Sequence, residues 1–159
     1  MPGPDDNLGK KAEAKIREWL NRPEEGYSFY RLPDQQSGLY GSTNPCDFIV
    51  YKEPYEYWIE SKATWHDRFD FSMITDYQRD SLLARSAIKG VHGVVIVLFA
   101  TQKRAFWLDI RDIVKLMESG VKSINITKIK NWTIPYKEIV TVYNTRKQLL
   151  DYAKDGNVI

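Results

Sequence analysis

Residues 44–64 read NPCDFIVYKEPYEYWIESKAT. Asp47 opens one apolar run, Phe48-Ile49-Val50. Glu60 and Lys62 close a second, Tyr57-Trp58-Ile59, and Pro54 lies in the turn between them. Two aromatic and β-branched runs around a proline turn predict a hairpin. Strand side chains alternate, so Glu60 and Lys62 project from one face and Ser61 from the other. With Asp47 facing them across the hairpin, two carboxylates and one ammonium converge. Carboxylate oxygens suit a hard cation such as Mg²⁺. Such an ion holds a scissile phosphate, lowers the pKa of a bound water and stabilises a leaving oxygen. The lysine can orient that water or offset phosphate charge. This is the set that phosphodiester hydrolysis needs. The alternative is an exposed same-face ion pair worth little, with Asp47 a turn residue. The apolar flanks favour the first reading, because charges at the ends of central strands need partners or a metal.

Elements must position these groups. Residues 9–21 predict a helix, with Ala12, Ile16, Trp19 and Leu20 at helical spacing. Strands are expected over 27–32, 46–51 and 57–64, with a turn-rich loop over 33–45 and a connecting segment over 65–71. The clearest helix is 75–89. Thr75 is its N-cap, Gln78 sits three residues on and Gly90 stops it. Its expected apolar face is Leu82, Leu83, Ala87 and Ile88. Residues 93–100 (GVVIVLFA) form a continuous apolar run, the mark of a strand covered on both faces. Residues 104–108 should pair beside it. Asp109 should cap a helix over 110–118, and 144–154 reads as a last helix. The order implies an α/β fold, a mixed central sheet flanked by helices. Residues 1–8 read as a flexible N-terminus and 9–159 as a single domain.

The whole chain has 159 residues, 43% hydrophobic and 28% charged, with a net charge of +2. That excludes disorder and coiled coil, and is too small by itself to announce a nucleic-acid binder. The charge is uneven: residues 1–120 carry 16 Lys and Arg against 18 Asp and Glu, whereas 121–159 carry 7 against 3. One cysteine, Cys46, excludes an internal disulfide and a Cys-rich zinc site. It reads as a small core residue. No signal sequence or membrane span is evident, so a cytoplasmic protein with no membrane partner is expected. Basic residues that can position a duplex by its phosphates are Lys10, Lys11, Arg68, Arg79, Lys122, Lys128 and Lys130, with His66 beside them. Lys128 and Lys130 share a face if their segment is a strand. Trp65 and Phe69, beside Arg68, either stack on exposed bases or belong to the core. His92, before Gly93, reads as a turn residue.

Together these stretches resemble the PD-(D/E)xK nuclease superfamily, and within it the RecU type of Holliday junction resolvase. The resemblance spans roughly residues 8–136. It rests on Asp47 thirteen residues before Glu60, on Glu60-Ser61-Lys62, and on a Ser/Phe-containing linker (Phe69 to Ser72) into a helix with Tyr77-Gln78. A glycine-led apolar strand from His92, an aromatic strand ending Trp107-Leu108-Asp109, and Val121-Lys122-Ser123-Ile124 follow in the family's order. Cys46 separates Pro45 from the aspartate. The segment 31–45 is short and only about eight residues precede the first helix, which fits a compact, phage-borne version without the family's long arm and stalk.

The resemblance implies a restriction-endonuclease-like fold and a Mg²⁺-dependent endonuclease, Mn²⁺ substituting, that resolves four-way junctions. It implies a catalytic set of Glu13, Asp47, Glu60, Lys62 and Gln78. Asp47 and Glu60 bind metal, with Glu13 helping directly or through water. Gln78 either assists at the metal-bound water or phosphate, or only completes a capping box with Thr75. Glu13 has its own alternative, favouring the helix dipole and pairing with Arg17. A junction is two-fold symmetric, so one site per subunit implies a homodimer. A restriction-like or repair endonuclease acting on duplex DNA, and a non-catalytic DNA-binding module of the same fold, are the rival readings.

Overall fold

The computed structural model describes residues 7–21, 25–33 and 44–139. Helix α1 (Leu8–Leu20) is followed by strands β1 (Tyr27–Arg31), β2 (Phe48–Lys52) and β3 (Tyr55–Thr64). Short strand β4 (Arg68–Asp70) and a 3-10 turn lead into α2 (Asp76–Ser86). Then come β5 (Val91–Phe99), β6 (Arg104–Asp109), α3 (Ile110–Glu118), β7 (Ser123–Asn125), a 3-10 segment Ile126–Asn131 and β8 (Lys137–Ile139). The main sheet has the order β1-β2-β3-β5-β6-β8, and β4 pairs with β7 in a separate two-stranded sheet. β3 and β5 run parallel; the other pairs are antiparallel.

β5 is buried at all nine positions. Its apolar run thus marks a strand covered on both faces, as expected. Alternation divides the core in two. Phe48, Val50, Tyr57, Ile59, Val94 and Ile96 pack with Ala12, Ile16, Trp19 and Leu20 of α1. Trp58, Val95, Val97, Phe106 and Leu108 pack with Leu82 of α2 and Ile110 and Ile113 of α3. Even-numbered positions of β3 therefore face α2 and α3, and odd ones face α1.

Local signals set several boundaries. The Thr75 hydroxyl accepts from Gln78 N–H and the Gln78 side chain accepts from Thr75 N–H, a complete capping box. The Asp109 carboxylate accepts the Arg111 N–H and caps α3. Helix α2 ends at Ser86, short of the expected residue 89. Ser86 Oγ donates to Leu82 O at 3.0 Å and accepts from Gly93 N–H at 2.8 Å, tying the last turn to β5. The chain must turn there, so Ala87 and Ile88 are exposed rather than part of the apolar face. His92 is not a turn residue. It lies in β5, stacked on Tyr57 at 5.5 Å.

At Gly93 the backbone of α2 closely approaches the sheet. A Cβ added there would lie 2.5 Å from Leu82 O. That contact is backbone, so it cannot yield by a rotamer change. Gly93→Ala is expected to destabilise the protein by about 1–3 kcal/mol, the usual range for overpacking. A lower urea midpoint at unchanged m-value would show it.

Other expectations are displaced. Residues 65–71 are not only a connector: they hold β4, whose Phe69 is 0% exposed and faces Ile124 in β7. Phe69 is therefore core and offers no stacking surface. Lys128 and Lys130 lie in a 3-10 segment, not a strand. Residues two apart there do not share a face. Helix α1 starts at Leu8, inside the segment expected to be flexible. The rest of that segment, most of the loop 33–45 and the helix expected over 144–154 lie outside the described residues.

Candidate active site

β2 and β3 pair with Phe48 opposite Ile59. One step further places Asp47 opposite Glu60. Asp47 is held by its backbone on both sides: its N–H donates to Ile59 O at 3.0 Å and its carbonyl accepts from Leu32 N–H at 2.9 Å. Its Oδ2 accepts from the Ser61 N–H at 2.8 Å and the Ser61 hydroxyl at 2.9 Å. Ser61 is thus not a bystander on the far face. At the strand end the Asp47 carboxylate reaches it and is oriented by it.

Glu60 is 4% exposed. Its Oε1 accepts from Gln78 Nε2 at 2.8 Å and lies 3.3 Å from Lys62 Nζ. Both partners follow from alternation, since β3 positions 60 and 62 face α2. Gln78 does more than cap α2. Its oxygen completes the capping box and its amide nitrogen holds Glu60. Glu13 comes from α1, across the sheet, and pairs with Arg31 of β1 at 2.9 Å, not with Arg17 as the helical alternative had it. It is close enough to act on Glu60 electrostatically.

Burial pushes the Glu60 carboxyl up to about 8; repulsion from Asp47 adds to this, and Lys62 opposes it. Cys46 is raised to about 12, first by burial and then by Glu60 and Asp47. It is an inert buried thiol that donates to Phe48 O at 3.4 Å. A negative potential therefore focuses on one spot that Lys62 alone does not neutralise. Among the described residues no three His, Cys, Asp or Glu side chains gather into a metal cage. Mg²⁺ does not require one, since it is commonly held by one or two carboxylates with substrate phosphate and waters. Two opposed carboxylates, one of them buried and carrying its charge unfavourably, fit a hard divalent cation.

The candidate phosphate contacts lie on several separate elements. Lys10 and Lys11 are exposed on the first turn of α1, and His66 is exposed after β3. Arg79 is engaged by Asp76 at 3.2 Å and Asp80 at 2.9 Å. Arg68 pairs with Asp70 at 2.8 Å and lines one groove with Lys128. Lys122 and Lys130 are exposed. Sequence reasoning missed Ser61 and Arg31. The first sits inside the Glu60-Ser61-Lys62 motif and could have been suspected, whereas nothing in the sequence singles out Arg31.

The main sheet is mixed, helices cover both of its faces, and Asp47, Glu60 and Lys62 gather at the β2–β3 hairpin. The family model for recombination protein U matches residues 33–155. The chain belongs to this family, whose members are Holliday junction resolvases, nucleases that act on DNA. Membership implies a divalent cation. In structure the chain is similar to Hjc of Archaeoglobus fulgidus, a Holliday junction resolvase from an archaeal hyperthermophile. The identity is 10%, over 68% of this chain and 78% of that one, with a TM-score of 0.43. Comparison with curated proteins gives no match. Among the described residues no helix is long and apolar enough to cross a membrane.

Proposed function

We propose that this resolvase is a cytoplasmic, Mg²⁺-dependent homodimer that cuts four-way DNA junctions by paired symmetric nicks, using Asp47, Glu60, Lys62, Gln78 and Glu13. The observation that carries the reading is the convergence of Asp47, Lys62 and Gln78 on the buried Glu60. Asp47 and Glu60 would hold the ion, with Glu13 assisting directly or through water. The bound cation supplies charge to the scissile phosphate and acidity to a water. Ser61 fixes the Asp47 oxygen and Gln78 fixes the Glu60 oxygen, so neither carboxylate must reorganise as charge develops. Lys62 lies beside Glu60 and orients the attacking water, or offsets charge on the phosphate. The water oxygen attacks phosphorus in line and releases its proton to solvent. The bond to the 3′ oxygen breaks and that oxygen takes a proton from solvent. The products are a 5′-phosphate and a 3′-hydroxyl. A second subunit, related by two-fold symmetry, places an equal site on the opposing strand. Basic residues such as Arg68 and Lys128 contact phosphates without reading sequence.

The test is a synthetic four-way junction with each strand labelled in turn. With Mg²⁺ the protein is expected to nick two opposing strands at symmetry-related positions, and chelation should stop cleavage. Equal cutting of linear duplex would replace the junction reading by a duplex endonuclease. Binding without cleavage of any DNA, in Mg²⁺ or Mn²⁺, would leave a binding module.

A further inference from the structure

Beyond the catalytic centre, α1 and the far ends of β3 and β5 enclose an open pocket of about 490 Å³. That is the size range of small-ligand sites. Its apolar wall includes Leu8, Leu98 and Trp65, and Lys11, Lys15 and Lys103 stand around it with Glu18. Trp65 is 40% exposed. Its carbonyl accepts from the Thr101 hydroxyl at 2.8 Å, so its backbone is anchored to the β5–β6 turn. An exposed indole on a backbone anchored at its carbonyl, beside an apolar hollow with three lysines against one glutamate, has the composition of a base-stacking platform flanked by phosphate contacts.

A second observation points the same way. Lys103 has φ 54°, the only positive φ outside glycine among the described residues. Glycine adopts this conformation without strain. A lysine kept there brings its charge to the pocket at the expense of the backbone, and such outliers gather at binding sites.

We propose that this pocket binds an unpaired nucleobase of the DNA substrate, stacked on Trp65, with Lys11, Lys15 and Lys103 toward the flanking phosphates. The proposal rests on the chain being a DNA junction nuclease, and extends that reading to how it holds opened strands.

Two junctions test it, one fully paired and one with two unpaired thymidines at the crossover, measured by fluorescence anisotropy in EDTA so that binding is read apart from cleavage. Trp65→Ala should weaken binding to the unpaired junction about tenfold, the scale of one base–aromatic stack. It should change binding to the paired junction less than about twofold, and Trp65→Phe should restore most of the loss. Lys103→Gly should lower the salt slope of binding by about one while raising the thermal midpoint, because glycine relieves the positive φ. Equal effects of Trp65→Ala on both DNAs would overturn the proposal. So would an unchanged salt slope in Lys103→Gly. A shift in oligomeric state on sedimentation would assign the pocket to a second copy of the chain instead. Cleavage in Mg²⁺ is scored separately. Wild type that cuts no DNA overturns the nuclease reading, whereas wild type that cuts but discriminates no differently from Trp65→Ala overturns the pocket alone.

Discussion

Glu60→Gln is expected to abolish cleavage while leaving junction binding intact or tighter. The substitution keeps shape and volume. The new amide oxygen can still accept from Gln78 Nε2, which bonds Glu60 at 2.8 Å. What disappears is one of the two negative charges that would hold the cation. An ion at a scissile phosphate is worth several kcal/mol of transition-state stabilisation, and each 1.4 kcal/mol is tenfold in rate, so a loss of at least about 10³-fold is expected. Binding should not fall, because a buried carboxylate facing phosphate repels it. Single-turnover cleavage beside a gel-shift titration reads both quantities. Residual cleavage near wild type would remove Glu60 from the site.

The same substitution should stabilise the metal-free protein at alkaline pH. The Glu60 carboxyl, with an ordinary value of 4.5, is pushed up to about 8 by burial and by Asp47. Between these values the folded state holds a proton that the unfolded state has released. Stability therefore falls as pH rises through this window and is lowest above about 8. Glutamine has no charge to bury. Glu60→Gln should thus match wild type near pH 4 and exceed it by a few kcal/mol near pH 9, the scale of a shift of several units. Denaturant unfolding in EDTA across pH 4–9 measures it. Added Mg²⁺ should raise the wild-type curve at high pH more than the variant's, because the cation and the proton compete for one carboxylate. Parallel pH profiles of the two proteins would show that Glu60 ionises freely.

The elements readable in the sequence are those whose signals are local. The apolar run of β5 needed two covered faces wherever it went. Asp109 and Thr75 cap their helices through bonds spanning two and three residues. The hairpin followed from two apolar runs around Pro54, while its register, which places Asp47 opposite Glu60, is seen only in the strand pairing. Phe69 was not readable in this way. Its partner Ile124 lies beyond α2, β5, β6 and α3 in the chain, so an aromatic flanked by charges looked like a linker. Lys128 and Lys130 shared a face only under a strand assignment, and the 3-10 turn removed it.

By itself the sequence determined the chemical set. Asp47, Glu60 and Lys62 lie on one hairpin, where pairing and alternation leave little freedom. Tertiary structure decided how that set is tuned. The parallel pairing of β3 with β5 buries Glu60. The close approach of α2 over Gly93 brings Gln78 to its carboxylate. Arg31, from an edge strand, takes Glu13 of α1. Such contacts join side chains distant in sequence, and their energies depend on burial, which no local pattern encodes.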